Sequence, residues 1–159
     1  MKKINLDKLD LIIYDFDGVM TNNLVYLSSD GIETVACNRS DGLAISIIKK
    51  YAIRQVIMSS EKNYVVKLRA KKLNIEVIHG ITDKKKALLE FCDINKYKLD
   101  RIVFIGNDLN DLEVMKLVAF PICPSDACDE IKLFSKYITK ASGGNGVIRE
   151  FLDLLKESK

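Results

Sequence analysis

Apolar runs recur along the chain at 11–15 (LIIYD), 55–58 (QVIM), 76–78 (EVI) and 101–106 (RIVFIG), with weaker ones at 118–122 (VAFPI) and 137–139 (YIT). They are short, rich in β-branched residues and apolar throughout rather than alternating, the pattern of strands covered on both faces. Between them, apolar positions repeat at helical spacing. DGLAISIIKKYA does so after Asp41, NYVVKLRAKKL follows a candidate cap at 61–63, and DKKKALLEFC and NDLEVMKLV open on residues suited to a helix N-terminus. Alternating strands and helices with short links predict an α/β fold, a Rossmann-like doubly wound parallel sheet. One stretch breaks the rhythm. LVYLSSDGIETVAC (24–37) reads as two short strands around SSDG, with Asp30 and Gly31 in the turn. A small β-hairpin insertion, about 22–38, is therefore expected after the first strand. No gap is long enough for a large cap domain, so 1–159 reads as one domain.

Composition narrows the class. At 159 residues, 48% hydrophobic and 30% charged, the chain suits one soluble globular domain. It has no apolar run of the roughly eighteen residues a membrane span needs. Lys2 and Lys3 meet aspartates before any long apolar stretch, so a cytoplasmic protein without a membrane partner is expected. The net charge of +3 is dispersed. Basic runs at 69–72 and 84–86 have helical neighbours and read as solvated faces. With no Trp and no aromatic residues threaded through basic strands, a nucleic-acid partner is not expected. Cys37, Cys92, Cys123 and Cys128 are scattered, and with His79 the only histidine they form neither a redox pair nor a zinc site.

The candidate chemistry lies where strands end. In an open parallel sheet, ligands bind at the carboxyl ends of the strands. Asp15 closes the first strand and Asp17 follows it; alone, the pair would read as caps of a turn at Gly18. The second strand runs into Ser59 and Ser60, the loop after the third leads to Lys84, and the fourth ends in GNDLND with Asn107, Asp108 and Asp111. Carboxylates, a hydroxyl and a lysine converging on one edge can hold Mg²⁺, bind phosphoryl oxygens and supply a nucleophile.

In that order, DFDGV, Ser59, Lys84 and GNDLND resemble the four motifs of the haloacid dehalogenase superfamily of aspartyl-phosphate phosphatases. The resemblance implies Asp15 as nucleophile, Asp17 as general acid and base, and Ser59 and Lys84 on the transferring phosphoryl group. It also implies Mg²⁺ held by Asp15, Asp108 and the Asp17 carbonyl. Asp111 would orient Lys84 or a metal-bound water, or simply cap the next helix; both remain open. The lone hairpin resembles the capless, tetrameric branch that includes 3-deoxy-D-manno-octulosonate 8-phosphate phosphatases. NRSDGLAI (38–45), with Arg39, and GGNGVIRE (143–150) are similar to that branch's segments. The implied partners are a sugar acid phosphate and three further copies, with sites at subunit interfaces and the C-terminal tail of one copy reaching another's site.

Within the branch, IMSSEKNYVVKLRAKKLNI (57–75) looks most like the members that act on nine-carbon, sialic-acid-type 9-phosphates. Glu61 replaces an arginine of the octulosonate enzymes, with Lys72 left to meet the substrate carboxylate and Gly18 and Asn107 lining the phosphate side. The expected function is hydrolysis of a 2-keto-3-deoxy nine-carbon sugar acid 9-phosphate; the alternative is the eight-carbon octulosonate 8-phosphate. A phospho-accepting receiver domain fits less well, because Asp17 and the hairpin follow the strand. A non-catalytic partner of a cytidylyltransferase is the other reading of a different class.

Overall fold

The computed structural model describes residues 6–157; Lys2, Lys3 and the last two residues of the tail lie outside them. In chain order, β1 (Leu11–Tyr14) leads to a hairpin of β2 (Tyr26–Leu27) and β3 (Glu33–Thr34), then α1 (Arg39–Ile48), β4 (Arg54–Met58), α2 (Val65–Leu73) and β5 (Glu76–Ile78). The second half runs α3 (Lys84–Asn95), β6 (Ile102–Ile105), α4 (Leu112–Met115), β7 (Phe120–Cys123), α5 (Asp129–Phe134), β8 (Tyr137–Ile138) and α6 (Val147–Lys156). Six strands form one parallel sheet in the order β5-β4-β1-β6-β7-β8. Chain order reverses beside β1, so the crevice where such sheets bind ligands opens between the ends of β1 and β6.

The continuous apolar runs are explained by the two layers. Ile12 and Tyr14 face α1, α2 and α6, packing with Ile45, Ile48, Val66, Phe151 and Leu155. Leu11 and Ile13 face the other side, with Leu88, Phe91, Val114 and Ile131. Both faces of β1 are buried, so period-two alternation has no polar half to display.

The helices depart from the sequence reading in detail. α1 begins at Arg39, two residues before Asp41, because the Asn38 side chain accepts from Ser40 N–H and caps it. Two helices, α5 and α6, escaped the sequence reading. α6 buries Val147, Ile148, Phe151, Leu152, Leu154 and Leu155, and each such side chain contributes about 1.5–3 kcal/mol. Its first turn is held by Asp41, whose carboxylate accepts from Arg149 N–H at 2.9 Å.

The hairpin is shorter than 22–38, though Thr21 and Cys37 bridge its base. Gly31 sits in its turn at φ +81°. Leu24, Val25, Tyr26, Leu27 and Ile32 are each more than half exposed. All four cysteines are free thiols. Among the described residues no helix is long and apolar enough to cross a membrane.

Candidate active site

Asp15 follows β1 and is held in place by β6: its N–H donates to Ile105 O at 2.9 Å. Its carboxylate is buried, and Oδ1 accepts from Phe16 N–H at 2.7 Å and from Lys84 Nζ at 2.8 Å. Lys84 opens α3 and also donates to Asp111 Oδ1 at 2.7 Å. One ammonium thus lies between two carboxylates, with all three side chains at most 6% exposed. Burial alone would discharge Lys84, but the two carboxylates outweigh it and hold the amine charged. Burial and the Asp111 charge push Asp15 well up, against the pull of Lys84.

Asp111 resolves the two roles left open, because it plays both. Oδ1 pairs with Lys84, while Oδ2 accepts from Asn107 N–H at 2.9 Å and closes a capping box with Asp108. The lysine is oriented by the same carboxylate that starts the turn after β6.

The Asn107 amide donates to the Asp17 carbonyl at 2.9 Å and to Asp15 Oδ2 at 3.2 Å. Gly18, at φ +75°, lets this amide come close; a Cβ there would lie 2.5 Å from Asn107 Cγ. The Asp17 carboxylate accepts from the Thr21 hydroxyl at 3.2 Å. Burial raises its pKa and the Glu61 and Glu33 charges add to this, against Thr21 and Lys84. An acid poised upward is what protonation of a leaving oxygen needs.

Asp15, Asp17, Asn23, Asn107, Asp108 and Asn110 line one cavity of about 270 Å³. On its far side Asn110 Nδ2 donates to Ser60 Oγ at 3.3 Å, joining the loop after β6 to the loop after β4. Ser59 is buried there, its Oγ accepting from Glu61 N–H at 3.1 Å. Glu61 itself caps the following turn through Asn63 N–H. Asn23 is a lining residue outside the motifs, and Asn110 lies within GNDLND without a role that the resemblance assigns. The signal for Asn23 was slight: an asparagine in the left-handed region, φ 62°, just past the first motif.

Among the described residues no three carboxylate, imidazole or thiol side chains stand together as a metal cluster. The lining is nonetheless all oxygen and amide, and the Asp17 carbonyl and Asp15 Oδ2 come within 2.9 and 3.2 Å of one Asn107 nitrogen, so they lie close together. That donor chemistry fits a hard divalent ion held by Asp15, Asp108 and a main-chain oxygen. Arg39 and Lys72 do not join this cavity. They line a separate one of about 340 Å³ with Arg69, Gly42, Leu43, Ser46 and Leu73, because α1 and α2 turn those side chains toward each other.

The chain matches the family model of the haloacid dehalogenase-like hydrolases over residues 43–151. It is 32% identical, over 146 residues, to the 3-deoxy-D-manno-octulosonate 8-phosphate phosphatase of Yersinia pestis, covering 91% of this chain and 78% of that one. The structure of the Moraxella catarrhalis octulosonate phosphatase, in complex with magnesium, phosphate and the octulosonate, superposes with a TM-score of 0.92 at 31% identity. That match covers 97% of this chain and 89% of the other. The Yersinia pestis enzyme superposes at 0.91 and 30%, over 96% and 83%. A buried aspartate at the end of β1, a lysine clamped beside it and a match over most of the length agree: the chain belongs to the haloacid dehalogenase-like hydrolases.

Proposed function

We propose that the chain is a Mg²⁺-dependent phosphomonoesterase acting on a 2-keto-3-deoxy sugar acid phosphate. One observation carries the reading: Asp15 is gripped on one oxygen by Lys84 and Phe16 N–H, has the Asn107 amide on the other, and lines the cavity that Asp17 shares. In the first step an Asp15 oxygen attacks phosphorus and the bond from phosphorus to the sugar oxygen breaks, the sugar oxygen taking the Asp17 proton. In the second, Asp17 takes a proton from water, whose oxygen displaces Asp15 and yields inorganic phosphate. Ser59 and Lys84 hold the equatorial oxygens, and Mg²⁺ when bound neutralises their charge.

The similarity to octulosonate enzymes favours the eight-carbon 8-phosphate as substrate, in place of the nine-carbon acid that Glu61 suggests. Glu61 keeps the second reading alive, since it follows the loop after β4 that carries the buried Ser59, whose Oγ accepts its N–H, and its charge adds to the upward push on Asp17. Its carboxylate would accept from hydroxyls where an arginine would bind a carboxylate. Phosphate release with Mg²⁺ should be compared for octulosonate 8-phosphate, neuraminate 9-phosphate and its deaminated analogue. The highest kcat/KM on the first supports the assignment; preference for a nine-carbon acid transfers it to the second reading. Equal, weak rates on all three remove both while leaving the phosphatase.

We further infer a homotetramer built on the hairpins. Five exposed apolar side chains there need cover, and the cationic cavity of Arg39 and Lys72, set apart from its own carboxylates, suits an acidic substrate bound in a neighbouring copy.

A further inference from the structure

We propose that Thr21, clamped from behind by the glycine-rich loop at 142–146, is the positioning residue for the Asp17 carboxylate; this rests on the reading of Asp17 as acid and base. Thr21 is fully buried. Its hydroxyl accepts from the N–H groups of Gly18 and Asn23, each at 3.2 Å, and donates to Asp17 Oδ1 at 3.2 Å. A hydroxyl has one proton and two lone pairs. With both lone pairs met by backbone donors, the proton has one direction left, and it points at Asp17. The carboxylate is therefore held by a donor that cannot rotate away.

The clamp explains a motif the phosphoryl chemistry does not use. Gly144 N–H donates to Val19 O at 3.0 Å, and Gly143 N–H is itself held by Asp126 Oδ1 at 2.9 Å. A Cβ on Gly143 would lie 2.2 Å from the Gly18 carbonyl, and one on Gly144 2.6 Å from Asn22 N. Only a chain without side chains can press this flat against residues 18–22. From the hairpin side, Thr21 is bridged to Cys37. The turn carrying Asp17 is thus fixed on both flanks.

The test uses Thr21→Val, which keeps the shape and removes all three hydrogen bonds, and Thr21→Ser, which keeps the hydroxyl. Nitrophenolate leaves without a proton, so its single-turnover release from p-nitrophenyl phosphate, with enzyme in excess and Mg²⁺ present, bypasses the acid. Thr21→Val should keep that rate within about twofold and slow octulosonate 8-phosphate turnover on the order of 10- to 100-fold. Thr21→Ser should stay within a few-fold on both. Should Thr21→Val not fold, Thr21→Cys, a weak donor of similar size, carries the same comparison. The inference is overturned if nitrophenolate release slows as much as turnover, if turnover is kept, or if serine fails as badly as valine. Asp17→Asn should show the same split more strongly. Its absence there overturns the acid–base reading and this inference together, whereas a split in Asp17→Asn alone overturns only the role of Thr21.

Discussion

The buried group of Asp15, Lys84 and Asp111 makes a prediction in which the same chemical change has opposite consequences at two positions. Two carboxylates share one ammonium in a nearly dry site. Asp15→Asn leaves a neutral Lys84–Asp111 pair, and the amide oxygen still accepts from Phe16 N–H and Lys84. Without metal, stability should hold or rise by up to about 1 kcal/mol, the gain from relieving a strained functional site. Asp111→Asn is different: the Asn107 amide beside Asp15 Oδ2 can turn its oxygen to a new NH₂, whereas both Asp111 oxygens accept from groups that only donate, Oδ1 from Lys84 and Oδ2 from Asn107 N–H. An asparagine has one oxygen, so its NH₂ must face either the ammonium or the backbone donor. Losing a charge-assisted hydrogen bond costs about 1.5–3 kcal/mol, and unpairing a buried ion about 3–5 kcal/mol. Since Lys84 keeps Asp15, we expect about 3 kcal/mol. At roughly 2–4 °C per kcal/mol for a chain of this size, that is a fall in Tm of about 6–12 °C. Thermal melts in EDTA by circular dichroism measure both variants. If Asp111→Asn melts within about 2 °C of the parent, or Asp15→Asn falls as far, the assignment of Asp111 as the principal acceptor is wrong.

Three further outcomes follow from the geometry. Gly143→Ala drives a Cβ to 2.2 Å from the Gly18 carbonyl; the backbone must shift at a cost of about 2–3 kcal/mol, read as a lower urea midpoint at unchanged slope. The pair Leu27→Lys and Ile32→Lys should lower the mass measured by light scattering below that of a tetramer; an unchanged mass refutes hairpin-mediated assembly. Glu150 ties β8 to α6 by accepting from Tyr137 OH, Lys140 N–H and Ala141 N–H. Burial opposes its ionisation, but these bonds outweigh it and hold its pKa below the usual value. Its contribution is present above the unfolded pKa of about 4.3 and is lost as pH falls through the lower folded value. Glu150→Gln should therefore be about 1–2 kcal/mol less stable at neutral pH, with the gap closing in urea titrations as pH falls below the ordinary glutamate range.

How much was readable depended on whether a signal was local. The four inner strands were legible because burial on both faces leaves unbroken apolar runs, the edge strands β5 and β8, only partly buried, from short apolar stretches alone, and Asp15, Asn107 and Asp108 because a polar residue after such a run lies at the sheet's carboxyl edge. α6 was less legible although 147, 148, 151, 152, 154 and 155 carry a clear helical stripe, because the glycines just before it are those of a loop and offer no side-chain cap. α5 is six residues long and starts at Cys128 with no side-chain cap, leaving little to read. α4 is four residues because Asp111 turns inward to Lys84 before the helix proper begins. Arg39 and Lys72 were grouped with the carboxylates on the strength of a resemblance; which cavity a helical side chain enters is decided by the neighbouring helix. Thr21 carried no sign at all, since three hydrogen bonds on one hydroxyl exist only once the turn is folded.

Asp15, Ser59, Lys84 and Asp111 are buried beneath an exposed rim that includes Asn23, Leu109 and Asn110, and in the proposed chemistry this separates the groups around the phosphoryl from those that would meet the sugar. Surface positions are tolerant and core positions are not, so descendants of such a chain can drift toward new sugars by altering the outer ring alone. The inner engine would pass through that divergence untouched.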